Sequence, residues 1–234
     1  LNILKSTVMK KLVLLLTGCI FFLSACEKAI MGNGQVIHQE KVLSAFTDVL
    51  TSGDFDITVK QSNRYFMSVD GESNILSEME TIVGGGNELY IQFRSGTNIG
   101  RHKRVSILLE APLFKNLKIN GSGNFTSLDT LRSDYFSTTI SGSGKIDVVV
   151  KCQTVGADIF GSGDINLRGI SEVNGLRISG KGNIKAFNLE SRTTVAKVSG
   201  NGNIEARATD FLRAEITGIG MITYKGNPRI EKVV

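Results

Sequence analysis

Six near-copies of one short pattern, apolar-x-Gly-x-Gly-x-apolar, limit what this chain can fold into. They read INGSGNF from Ile119, ISGSGKI from Ile140, IFGSGDI from Ile159, ISGKGNI from Ile178, VSGNGNI from Val198 and ITGIGMI from Ile216. The first glycines, Gly121, Gly142, Gly161, Gly180, Gly200 and Gly218, are separated by 21, 19, 19, 20 and 18 residues. The second are Gly123, Gly144, Gly163, Gly182, Gly202 and Gly220. A period near twenty marks stacked units, each too small to bury its own apolar face and each covered by the next.

Around every copy, polar and apolar residues alternate. Apolar residues stand two before the first glycine (Ile119, Ile140, Ile159, Ile178, Val198, Ile216) and four after it (Phe125, Ile146, Ile165, Ile184, Ile204, Ile222). Polar residues occupy the adjacent positions, which is the signature of strands with one buried face. A fainter third side follows from Leu131, Ile170 and Leu189 after the second strand and from Phe136, Val155 and Leu212 before the first. The expected architecture is an all-β solenoid of about six coils over residues 116–228, rising about 4.8 Å per coil. Direct stacking would set Asp158 against Arg177, Lys197 against Glu215 and Lys185 against Glu205. The glycines are read as structural corners, where Gly and Asn accept positive φ at low cost.

Chemical readings of the same glycines fit less well. GSGKI has isoleucine where a phosphate-binding loop needs Ser or Thr, and it leads into a strand instead of a helix. Calcium-binding β-rolls repeat every nine residues with aspartate at a fixed place, whereas the residue after the second glycine here is Asn124, Lys145, Asp164, Asn183, Asn203 or Met221. No row stacks two acids on consecutive coils, as carboxylate-pair hydrolysis in a β-helix would need. No catalytic residue, metal site or cofactor is expected.

Before the repeat, residues 34–115 alternate less regularly and read as an N-terminal β region continuous with the solenoid. NILSEME suggests a short helical turn, GGGN a loop, and TSGDFDITV from Thr51 a divergent copy of the repeat. Residues 229–234 are expected as a C-terminal tail.

MKKLVLLLTGCIFFLSAC, from Met9 to Cys26, has the form of an export leader: Lys10 and Lys11, the apolar run Leu12 to Leu23, then Leu-Ser-Ala-Cys. It resembles the lipobox of bacterial lipoproteins, which implies cleavage before Cys26, lipidation of its sulfur and acylation of the new amino terminus. Residues 1–25 are then a signal peptide with Met9 as its start, and 26–33 a lipidated tether. The alternative ending at Cys19 leaves an apolar run of about five residues, too short for such a leader. The run to Leu23 is itself too short to span a membrane, which takes about 17–25 residues. Without residues 1–25 the formal charge falls from +5 to +2, with 24 Lys and Arg against 22 Asp and Glu. No nucleic-acid partner is expected from that balance. Cys152 is left without a cysteine partner, is far in sequence from His38 and His102, and is read as a packed side chain.

FTDVLTSGDFDITVKQ, LYIQF, VSILLEAPLFKNLKINGSGN, the G-x-G repeats and the closing GIGMITYKGNPRI, in that order, resemble the putative auto-transporter adhesin "head GIN" domain, formerly a domain of unknown function, over roughly 200 residues. The resemblance implies a solenoid like a right-handed parallel β-helix, export to the cell envelope as an outer-membrane lipoprotein, and an adhesive or scaffolding role without catalysis. The partners implied are the membrane, through the lipid, and an envelope or surface polysaccharide or protein. A glycan-binding or carbohydrate-active β-helix is the alternative. The last copy departs from the pattern, with Ile219 and Met221 in place of polar residues, so the final coil is expected to be a cap or a contact surface.

Overall fold

A computed structural model describes residues 29–233; the proposed leader, Cys26 and Val234 lie outside the described residues. The described residues are 63% strand and 2% helix and form a β-solenoid of about six turns, as the repeat implies.

In chain order, β1 (Val36–Val42) is followed by β2 (Asp48–Ser52) and β3 (Asp56–Gln61), which flank a corner at Gly53. The divergent copy at Thr51 is therefore a true coil. An excursion follows, with β4 (Phe66–Glu72), helix α1 (Ser73–Leu76), β5 (Met79–Val83), β6 (Glu88–Phe93) and β7 (Ser106–Ala111). The repeat begins with β8 (Asn116–Ile119) and continues through three long, bent strands, β9 (Asn124–Ile140), β10 (Lys145–Ile159) and β11 (Asp164–Ile178). Thereafter the coils divide into β12 (Asn183–Glu190) and β13 (Thr193–Val198), β14 (Asn203–Arg207) and β15 (Phe211–Ile216), and β16 (Met221–Lys225) and β17 (Arg229–Val233).

Two rows of strands result. One runs β5, β6, β2, β8, then the second parts of β9, β10 and β11, then β13, β15 and β17. The other runs β1, β4, β7, β3, then the first parts of β9, β10 and β11, then β12, β14 and β16. Among the described residues only the pairs β1–β4, β4–β7 and β5–β6 are antiparallel, and they close the N-terminal end. Ten strands per row give nine steps of about 4.8 Å, a stack about 43 Å tall. The coil β2–β3 comes early in the chain yet sits inside the stack, between β6–β7 on one side and β8–β9 on the other.

The core is the pair of apolar columns that the repeat marks. Ile119, Ile140, Ile159, Ile178 and Val198 on one side, and Phe125, Ile146, Ile165, Ile184 and Ile204 on the other, are each at most 1% exposed. Burying each such side chain contributes about 1.5–3 kcal/mol, so the stack needs neither disulfide nor metal to cohere.

Three expectations are corrected. Ile170 is 56% exposed, because Gly169, not Ile170, sits in the row between Val150 and Leu189. The strand slips by one residue there, and a slip of one reverses which side chains face the core. Residues 229–233 are not a tail: they form β17, in register with β15 from Phe211↔Arg229 to Glu215↔Val233. The described part of the tether is docked, since Ile30 bridges Ile99 and the Gly32 amide donates to the Arg101 carbonyl at 3.0 Å. The buried Glu72 carboxylate accepts the amides of Gly34 at 2.5 Å and Lys103 at 2.8 Å, tying this strap to the top coil. Those amides, Lys103 first, hold the Glu72 carboxyl below its usual range.

Candidate functional site

The repeated corners are the first place to look for chemistry, and their backbone is already occupied. The residue between the two glycines donates its amide to the first glycine of the coil before: Ser143 to Gly121 at 2.9 Å, Ser162 to Gly142 at 2.8 Å, Lys181 to Gly161 and Asn201 to Gly180 both at 2.9 Å. The residue after the second glycine does likewise, with Lys145 donating to Gly123 and Asp164 to Gly144, each at 3.1 Å. These amides lie in the ladder and are not aimed at a ligand.

The corner glycines are required by closeness and not, as expected, by positive φ. None of the twelve is among the residues with positive φ, which are Gly34, Gly53, Gly86, Gly96, Gly169, Gly226 and Asn87. A Cβ on Gly121 would lie 2.7 Å from the Gly53 carbonyl oxygen, and one on Gly123 2.7 Å from that of Phe55. On Gly142, Gly161, Gly180, Gly200 and Gly218 it would press still closer on the glycine carbonyl of the coil before. A proton is all the stacking leaves room for.

Beside the corners, two outward rows form a polar face. Asn124 donates to Asp56 at 2.6 Å, Asn183 to Asp164 at 2.8 Å and Asn203 to Asn183 at 3.1 Å, so short amide and carboxylate groups bond along the stack. A hollow of about 310 Å³ on this face is lined by Asp56, Thr58, Asn124, Thr126, Lys145 and Asp147, among others. Each of its carboxylates is held by a guanidinium, Asp56 by Arg104 at 2.9 Å and Asp147 by Arg168 at 2.8 Å. Register sets their Cα atoms two strands and two residues apart, about 12 Å. The two carboxylates thus pair with different guanidinium groups and not with each other.

On the opposite row, charge neutralises from coil to coil. Asp158 and Arg177 lie 3.7 Å apart, Lys197 and Glu215 2.6 Å, Arg213 and Glu231 3.6 Å. The first two are the pairs that direct stacking implies, while Lys185 and Glu205 are register partners. Burial raises the Asp158 carboxyl, with Arg177 working against it. Near the N-terminal end, Glu88 accepts from Tyr90 at 2.5 Å and Lys118 at 2.9 Å, and both hold its carboxyl down.

Cys152 is buried beside Ser133 at 3.3 Å, and burial raises its thiol, as for a packed side chain. His38 pairs with Asp70 at 2.9 Å and His102 with Asp54 at 3.4 Å. Among the described residues no group of three or more His, Cys, Asp or Glu could hold a metal ion. Among the same residues no helix is long and apolar enough to cross a membrane.

Fold and site together define a β-solenoid that displays ladders of short polar side chains along its stack. The model of a family described as "putative auto-transporter adhesin, head GIN domain" matches residues 45–228, and the chain belongs to that family. Its structure is similar to that of a putative adhesin from Bacteroides fragilis NCTC 9343, at 25% identity and a TM-score of 0.83, over 88% of this chain and 94% of that one. It is also similar to a putative lipid binding protein from Parabacteroides distasonis ATCC 8503, at 24% identity and a TM-score of 0.75, over 88% and 96% of the two chains. A putative adhesin from Parabacteroides merdae ATCC 43184 has the same fold at 22% identity and a TM-score of 0.69, over 87% and 94%. No curated protein matches the chain.

Proposed function

We propose that this chain is a non-enzymatic binding module of the bacterial cell envelope, anchored through lipid on Cys26 and presenting its outer rows to an envelope or surface polysaccharide or protein. The observation that carries this reading is the polar face itself. It repeats Asn, Asp, Thr and Lys side chains at strand spacing, and Asp56, Asp147 and Asp164 are already bonded to Arg or Asn. A flat array of paired polar groups suits recognition of an extended, repeating partner. Membership of an adhesin-like family agrees with it. Docking of residues 30–34 on the N-terminal coil supports a tether leaving from that end, with the opposite end about 43 Å away by strand spacing.

Two measurements test it. Cys26→Ser should abolish palmitate labelling and move the protein to the soluble fraction; unchanged labelling would sink the anchor. Binding of purified envelope polysaccharide and of envelope proteins should weaken when Asn124 and Lys145 are both replaced by Glu, with the fold intact by circular dichroism. The hollow between Asp56 and Asp147 favours a polysaccharide as first partner to try. Asp147→Asn should leave the polysaccharide uncleaved, just as the wild type does. Reducing ends released by the wild type and not by that variant would instead establish a hydrolase.

A further inference from the structure

The two ends of the stack are finished differently. Antiparallel strands and α1 close the N-terminal end, whereas among the described residues β16 and β17 pair only with β14 and β15. The inward side chains of the last coil leave an open hollow of about 210 Å³, lined chiefly by Leu212, Ile216, Ile222, Tyr224, Ile230 and Lys232. Two inward rows change character here. Ala206 is followed by Tyr224, and Ala214 by Lys232, so a hydroxyl and an ammonium replace methyl groups at the mouth of an apolar cavity. Around the rim, Ile219 is 83% exposed and Met221 55%.

Charge at this end is unbalanced in one direction. Glu231 is already bound by Arg213 at 3.6 Å and Glu215 by Lys197 at 2.6 Å. Lys225 lies 4.4 Å over the Phe187 ring and Arg229 4.9 Å over the Phe211 ring. Among the described residues neither of these cations nor Lys232 has an acidic partner. An apolar hollow with the Lys232 ammonium at its mouth, and with Lys225 and Arg229 on the outer face of the same coil, is complementary to a molecule with an apolar tail and a negative head.

We propose that the open C-terminal end binds a single anionic amphiphile, an acyl chain with a carboxylate or phosphate head. The chain lies on Ile216, Ile222 and Ile230 and is removed from water there. The head meets the Lys232 ammonium, with the Tyr224 hydroxyl as a second donor and Lys225 and Arg229 adding attraction at longer range. A second copy of the chain is a poorer occupant. End-to-end pairing would bury the Lys232 ammonium of each copy without a counter-charge, which is strongly unfavourable. The site is separate from the polar face, so its failure would leave the reading of that face untouched.

The test is displacement of a dansyl-labelled fatty acid from the full-length chain by decanoate, decyltrimethylammonium and decanol, each below its micelle concentration. Decanoate should displace the probe saturably at one site per chain, and decyltrimethylammonium should not. Lys232→Gln, an exposed change that leaves the core intact, should weaken decanoate about tenfold, the loss of roughly one charge-assisted hydrogen bond. Ile230→Asp should abolish binding, with circular dichroism and the melting temperature checking its fold. Absence of saturable displacement, equal binding by Lys232→Gln, or equal displacement by decanol would each overturn the proposal. So would association only with phosphatidylglycerol vesicles, which would make the end a bilayer contact, or dimerisation without ligand at micromolar concentration.

Discussion

Gly142 has its α-carbon against the Gly121 carbonyl, and a methyl group there has nowhere to go but into backbone. Backbone gives way less readily than a side chain, so Gly142→Ala should cost at least the 1–3 kcal/mol or so of ordinary overpacking. Gly175 is the matched control: no atom lies within 4 Å of its added Cβ, and it has no positive φ. Gly175→Ala should fall within about 0.5 kcal/mol of the wild type or stabilise slightly. Urea unfolding of the two variants measures the contrast, and equal effects would mean that the corners tolerate a side chain. The positions of these glycines were plain in the sequence. Their cause was not, because a glycine chosen for positive φ and one chosen for close approach are written with the same letter. Spacing placed Asn124, Asn183 and Asn203 at one position after the second glycine, and the bonds Asn183 to Asp164 and Asn203 to Asn183 run along that row.

Among the elements, legibility tracked how strictly a strand repeats. The columns of Ile140 and Ile146 were recoverable because every copy restates them. The third side was not, because it varies: Gly169 takes a core row beside the exposed Ile170, and the buried Asn174 and Thr194 stand in the row of Val155 and Leu212. Thr194 shares a 2.7 Å bond with Ser191, which satisfies a hydroxyl that the pattern would leave unsuspected in a core. In the N-terminal cap the antiparallel pair β4–β7 carries its own fastening. Arg64 grips the almost fully buried Glu110 with bonds of 3.0 and 2.7 Å and lies 4.1 Å over the Phe66 ring. Chiefly through Arg64, the Glu110 carboxyl is lowered from 4.5 to about 2. A carboxyl lowered on folding stabilises above its unfolded value, so this contribution is full above about 4.5 and drains as pH falls toward about 2. Glu110→Gln should cost about 2 kcal/mol at neutral pH, the worth of a hydrogen bond to a charged group, and should flatten the acid limb of stability against pH. Denaturant midpoints taken from pH 6 down to pH 2.5 would show this; an unchanged slope would place the acid sensitivity elsewhere.

For the whole molecule, the repeat announced a stack but not the order of its first coils. Pairings such as β2 with β8 join residues 68 apart, Asp48 to Asn116, and no local pattern encodes a partner that distant. From β8 onward each coil touches only its neighbours, and in such arrays stability is a sum of units and interfaces. Deleting residues 209–234 should therefore leave a shorter, still folded stack, with a urea m-value reduced in proportion to the surface lost. Collapse of the entire fold on this deletion would show that the last coil is a keystone. The placement of β2–β3 between β6–β7 and β8–β9 also has a mechanical meaning. A protein held at one end and pulled at the other is stretched along the stack, and its C-terminal coils, bonded on one side, peel away singly. Each would release about twenty residues, a step of roughly 65–70 Å of contour. Once β8 and β9 are gone, the peeling front reaches β6–β7, which is still clasped from both sides, by β2–β3 above it and by β5 and β4 below. Unravelling stalls there, so the fold would behave under tension as a series of yielding loops ending in a knot-like stop.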